Sequence, residues 1–195
     1  MGIFSIGELD LLYPGLDKRR LYEWQLKNYI IKLRNGWYCL PEFLRENYSS
    51  WIIANAVHEP SYISLESALS YHGIIPEGVY MTTSLTTKRT IRLSMAGSSY
   101  AYSSVKNELF FGYELIETGY HHRKIRMADP VKALIDFFYL HTDYNTEDEI
   151  LQLRLNRPAL REGIPLEKLK LYLTRFKNLK LEKRISTMLH IYDHA

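Results

Sequence analysis

A chain of 195 residues, 46% hydrophobic and 24% charged, has the make-up of a globular protein with room for one full domain and a small second one. It has no apolar run approaching the roughly 18–20 residues of a bilayer span and no basic-then-apolar leader at its start, so a cytoplasmic location is expected. One cysteine, Cys39, excludes an intrachain disulfide framework and a cysteine-rich zinc site.

The formal net charge of +3 is unevenly spread. Residues 17–38 hold six Lys/Arg against two acids, and residues 166–184 hold seven against two, which leaves the remainder net acidic. Two basic islands on an acidic body point to local anion binding. Solvated helix faces give the same pattern.

In chain order, Ser5 is placed to cap a short helix carrying Ile6, Leu9 and Leu12. Tyr13-Pro14-Gly15 stops it. Asp17 is the expected cap of a second helix to about Lys27. Ile30–Arg34 and Trp37–Leu40 are β-prone runs joined by Asn35-Gly36, a strong short-range hairpin signal. Helix, turn, helix and hairpin within residues 5–40 is the order of a winged helix-turn-helix. Pro41 closes this unit, so residues 1–41 and 42–195 are the expected domains.

A helical pattern runs from Phe43 to about Val57, and a second opens at Ser64 and ends at Gly73. Strands are expected over Val79–Thr83, Thr90–Leu93, Tyr100–Ser104, Leu109–Tyr113 and His121–Met127. Asp129-Pro130 then starts an apolar helix to about Leu140. Residues 146–156, 165–176 and 179–192 read as a helical tail. The fold class expected is α+β: a small N-terminal winged helix-turn-helix, then a mixed α/β domain with a mostly antiparallel sheet and a helical C-terminal tail.

On a helical wheel of residues 17–27, Leu21 and Trp24 share the inner side. Lys18, Arg19, Tyr22, Glu23 and Gln25 fill the outer arc, with Arg20 and Lys27 at its flanks and Leu26 also projecting outward. Basic side chains there can hold phosphates while Arg, Lys, Gln and Tyr reach base edges. Lys32, Arg34, Asn35 and Trp37 of the hairpin are the expected backbone or minor-groove contacts.

Other chemistry finds little support. His121 and His122 are adjacent and would point to opposite faces of a strand. His190 and His194 have the spacing of a helical metal pair but lack a third ligand of matching spacing. Glu114 and Glu117 lack the following lysine of a nuclease Glu-x-Lys, and no phosphate loop, Rossmann fingerprint or nucleophile elbow is present. Tyr100 and Tyr102 share a strand face, where sheet packing outweighs base stacking. His72, on an apolar helix face, fits a hydrogen-bonded core histidine. No metal, cofactor or catalytic residue is expected.

Two stretches carry a family resemblance: Phe4–Leu9 with Lys18–Ile30 and Asn35–Tyr38, and Pro60–Glu77 with its Ser-Leu-Glu-Ser-Ala-Leu segment. Together with Ala128–Leu134 they resemble AbiEi-type antitoxins of type IV toxin–antitoxin, or abortive-infection, loci. The resemblance spans residues 4–140 and implies a transcriptional regulator whose winged helix binds its own promoter. It also implies opposition to a nucleotidyltransferase-like toxin without a stable complex, and it supplies no catalytic residue. By position, the DNA-reading helix maps to Lys18–Lys27 and the wing to Lys32–Trp37. A homodimer on a palindromic site would be usual for such a regulator. The alternative is an interaction module that docks an acidic partner through the winged helix and the tail cations Lys168, Lys170, Arg175, Lys177, Lys180, Lys183 and Arg184.

Overall fold

The computed structural model describes residues 2–34, 36–120 and 123–193. Strand β1 (Ile3–Ser5), which the sequence pattern did not announce, leads directly into helix α1 (Ile6–Leu12). The Ser5 hydroxyl accepts the Glu8 amide while the Glu8 carboxylate accepts the Ser5 amide, a reciprocal cap that satisfies two orphan donors. Leu9 is buried, but Leu12, expected in the same apolar row, is 56% exposed. It stands about 60° beyond Leu9 around the helix and so clears the small sheet below.

Helix α2 follows (Arg19–Leu26). Its cap position falls on Lys18 rather than Asp17, whose carboxylate instead accepts the Arg19 amide at 3.0 Å. Strands β2 (Ile31–Lys32) and β3 (Trp37–Cys39) form the expected antiparallel hairpin, with Ile31 opposite Cys39. The Leu33 amide donates to the Trp37 carbonyl at 2.9 Å. Pairing therefore continues past β2, and the Trp37 amide donates at 2.9 Å to the Arg34 carbonyl, which closes the connection over the two residues expected. Asn35 lies outside the described residues. Gly36 has a φ of +77°, and a Cβ there would meet Ile6 at 3.3 Å, so both backbone and space favour glycine. β1 also pairs antiparallel with β3, giving the order β1-β3-β2.

This small sheet has two faces with different partners. Phe4 and Tyr38 meet Leu9, Leu21 and Ile30 under the two helices. Ile3 and Cys39 point the other way and join the main core. Burial pushes the Cys39 thiol up to about 11, and a buried neutral thiol is a poor nucleophile. Iodoacetamide is expected to leave Cys39 unmodified in the native protein and to label it in denaturant. Rapid native labelling, read by mass spectrometry, would contradict this packing.

The helix expected over residues 43–57 is broken. A 3₁₀ turn spans Pro41–Arg45, Tyr48 is left-handed at φ +63°, and only then does α3 (Ser49–Val57) begin. A left-handed residue cannot be carried inside a right-handed helix without steric cost. Strand β4 (Ser61–Ile63) leads to α4 (Leu65–Tyr71). At the end of α4 the Ile74 and Gly73 amides return to the Leu69 and Ser70 carbonyls, the double closure of a glycine-terminated helix.

Strands β5 (Met81–Thr86), β6 (Ile91–Met95) and β7 (Ser98–Ser104) come next. The strand expected at Leu109–Tyr113 is displaced: Asn107–Leu109 is a 3₁₀ turn and β8 spans Tyr113–Glu117. Gly112 interrupts the extended run at φ +74°, and a Cβ there would come within 3.0 Å of the Lys132 side chain. β9 (Lys124–Ala128) completes a six-stranded sheet of order β6-β7-β5-β4-β9-β8. β4–β9 and β5–β7 are parallel and the other pairings antiparallel, so the fold is α+β with mostly antiparallel sheets.

β4 is covered on both sides. Ser61 Oγ donates to the Ala54 carbonyl of α3, while the adjacent Tyr62 hydroxyl donates at 2.9 Å to Asp136 of α5 (Pro130–Leu140) on the opposite face. The remaining helices are α6 (Glu147–Leu151), α7 (Arg157–Gly163), α8 (Leu166–Phe176) and α9 (Leu179–Asp193). α7 falls between the expected helical stretches. The tail packs onto α5: Arg184, 5% exposed, donates twice to the Phe138 carbonyl at the end of α5. Tyr172 and Lys168 both reach Asp129, which caps its start. Burial opposes the Lys168 charge, yet the Asp129 carboxylate outweighs it and holds the ammonium above its ordinary range. Among the described residues no helix is long and apolar enough to cross a membrane.

Candidate nucleic-acid interface

Helix α2 is anchored from beneath by Leu21, buried, and Trp24, half-buried against the small core. That anchoring turns the opposite arc to solvent. Lys18, Arg19, Arg20, Tyr22, Glu23 and Lys27 are all exposed there, with the Arg19 side chain 90% so. The structure thus brings these six candidates together on one outward surface. Gln25 is the exception: it folds back at 2.8 Å onto the Leu21 carbonyl of its own helix.

Two of the cations carry local counter-ions. Lys18 lies 3.1 Å from Asp10 of α1, and Arg19 lies 3.1 Å from Asp17. Such exposed pairs are worth at most about 1 kcal/mol, so exchanging the carboxylate for a phosphate costs little. Tyr22 and Leu26 project between the cations at 65% and 66% exposure. Leu26 therefore faces outward, as the helical wheel places it.

The hairpin candidates separate. Lys32 is exposed and lies opposite Tyr38, whose side chain points toward the helices. Trp37 is on the other face, packed against the main core with the Arg123 guanidinium 5.9 Å over its ring. Arg34 is half-buried and near the body. Burial first, then the charges of Lys88 and Arg34, lower the pKa of His58 beyond α3. Trp37 thus lies at the junction with the body rather than beside α2, because successive residues on a strand alternate faces, and Arg34, past the end of β2, comes near the same body at His58.

Two residues that the sequence reading did not single out orient this surface. Arg123 donates at 2.8 Å to Glu8 and at 3.2 Å to the Ile3 carbonyl, tying the sheet and α1 to the body. Glu8 spends one oxygen on this bond and the other on the Ser5 cap. The Ser-x-x-Glu spacing could have revealed Glu8. Nothing local marks Arg123, which lies 115 residues away from it.

The remaining candidates resolve differently. Tyr100 and Tyr102 are each 1% exposed, and the Tyr102 hydroxyl donates to the Ala54 carbonyl, so both serve packing. His72 Nε2 contacts the Ala128 carbonyl at 2.8 Å. Glu117 pairs with Lys124 across β8 and β9. His121, His122 and His194 lie outside the described residues; among those described, no group of three or more His, Cys, Asp and Glu is placed to hold a metal ion. In the basic tail, Lys168 and Arg184 are engaged internally, Arg175 sits 3.6 Å over the Phe111 ring, and Lys170 pairs with Glu167. Lys177, Lys180 and Lys183 are exposed.

No protein-family model matches the chain, and no match was found among curated proteins.

Proposed function

We propose that the protein is a DNA-binding transcriptional regulator whose N-terminal unit is a winged helix, with α2 as its reading helix. The observation that carries this reading is the exposed cationic arc of α2, held outward by Leu21 and Trp24. The strand order β1-β3-β2, with two helices between β1 and the hairpin, supports the winged-helix reading. α2 enters the major groove in this reading, with Lys18, Arg19, Arg20 and Lys27 on phosphates and base edges. Lys32 supplies the wing contact.

The regulator acts on its own promoter as the antitoxin of a type IV locus, opposing a nucleotidyltransferase-like toxin without a stable complex and without catalysis of its own. This narrower assignment is supported by the AbiEi resemblance over residues 4–140. Fluorescence anisotropy with the duplex upstream of the gene, against a scrambled duplex, tests the regulator reading. Tighter binding to the upstream duplex with a steep salt dependence is expected. Absence of binding at low salt would end it.

A second reading has its own observation. Leu11, Leu12, Tyr13, Tyr22, Leu26 and Tyr29 are all at least 56% exposed on α1, α2 and their flanks, more apolar surface than phosphate contact requires. This favours an interaction module that docks an acidic protein. A stoichiometric protein complex lost on Leu26→Asp, in a protein that DNA does not retain, would establish it.

A further inference from the structure

Helices α4 and α5, with the segment leading into β5, frame a cleft of about 540 Å³, within the size range of small-molecule sites. It lies in the larger part of the molecule, and its chemistry is independent of the DNA reading. One wall is aromatic. The Phe137 ring lies 4.3 Å from that of His141 and 5.4 Å from that of Tyr144. Val79, Met81 and Leu153 add apolar surface to the lining, and Tyr80, which also lines it, is fully exposed.

The charge in this cleft has one dominant sign. Glu66 and Glu77 line it. Burial, then the charges of Asp143 and Glu66, make the Tyr144 hydroxyl hold its proton more tightly than usual, which places both carboxylates near that ring. Neither Lys nor Arg is among the described lining residues. His141 is the one basic side chain among the described lining residues, and it is held in place, with Nε2 3.3 Å from Glu66 Oε1 and Nδ1 3.1 Å from the Phe137 carbonyl. An anion entering the cleft would meet like charge. A cation would meet carboxylates and the faces of aromatic rings, which attract positive charge.

We propose that this cleft binds a small organic cation, an amine carried on an apolar or aromatic body, with Glu66 holding the ammonium and Val79 and Met81 receiving the body. The test is a calorimetric titration of the full-length protein at low salt with phenethylamine, its neutral analogue 2-phenylethanol and the anion 3-phenylpropionate. Phenethylamine should bind about tenfold tighter than the alcohol, and the anion should not bind. Glu66→Gln, at a half-exposed position, should remove that advantage and leave the alcohol unchanged; Glu77→Gln provides the same comparison from the rim if Glu66→Gln melts early. Val79→Arg should abolish binding of both amine and alcohol. Equal affinities for amine and alcohol would overturn the proposal. So would silence from all three compounds at millimolar concentration, or an amine affinity that neither Gln variant changes.

Discussion

Asp136→Asn is expected to destabilise the protein by about 3–5 kcal/mol at neutral pH, the usual cost of removing one partner from a buried ion pair. Lys132 and Asp136 sit one helical turn apart on α5, both fully buried, with the ammonium bonded to the carboxylate and, at 2.9 Å, to the Tyr62 hydroxyl. Tyr62 and Ser64 both donate to the second Asp136 oxygen. The rings of Phe111, Phe176 and Tyr62 stand 4.9, 5.2 and 5.4 Å from the ammonium. Burial pushes the Lys132 pKa down and the Asp136 pKa up, and their mutual attraction opposes both shifts.

Without the Asp136 carboxylate, only the weaker pull of Asp129 opposes the downward shift at Lys132. In the variant the folded state then releases the lysine proton at a lower pH than the unfolded chain, which keeps it to about pH 10. Between those two values the unfolded state binds the extra proton, so variant stability rises with pH across that window. Denaturant melts at pH 6 and pH 9.5 should show the deficit relative to wild type shrinking at the higher pH. Lys132→Met with Asp136→Leu should recover only part of the loss, because Tyr62 and Ser64 keep hydroxyls without their acceptor, at about 1–3 kcal/mol each. Adding Tyr62→Phe and Ser64→Ala should recover the rest. A variant as stable as wild type at pH 6, or one whose deficit grows with pH, would show that the pair is not what holds α5 to β4.

If the protein is the DNA-binding regulator proposed above, replacing Lys18, Arg19 and Arg20 together by alanine is expected to weaken promoter binding on the order of a hundredfold at physiological salt and to lower the salt slope by about three. These side chains are exposed and their ion pairs weak, so the melting temperature should barely change. The control removes the same charge elsewhere: Lys177, Lys180 and Lys183 to alanine, also exposed. That protein should bind DNA within a few-fold of wild type. Equal losses from the two triple variants would mean that overall charge, rather than the α2 surface, attracts DNA, and an unchanged slope in the first would remove α2 from the interface.

Much of the fold was legible wherever a few neighbouring residues carry the whole reason for an element. Asp129-Pro130 presets the start of α5, Gly73 closes α4, and β-prone runs either side of Asn35-Gly36 make a hairpin. The wheel of residues 17–27 also placed Leu21 and Trp24 inward and Leu26 outward, because a two-turn helix on one small sheet has a single side to bury.

Other features depended on partners far along the chain. β1 is three residues long and exists because β3, more than thirty positions later, offers it an edge. Trp37 looks like a wing-tip aromatic until the body and Arg123 are seen beneath it. Lys168 and Arg184 read as surface cations, but they serve the two ends of α5. The cleft between Glu66 and His141 joins residues 75 positions apart in the chain, and no local pattern announces it. By itself, the sequence determined the element ends that a local cap or turn carries, at Ser5, Gly73 and Asp129-Pro130, since capping and turn chemistry act over a few residues. Only the tertiary structure decided which charged and aromatic side chains face solvent, because burial is a property of what packs on top of a residue.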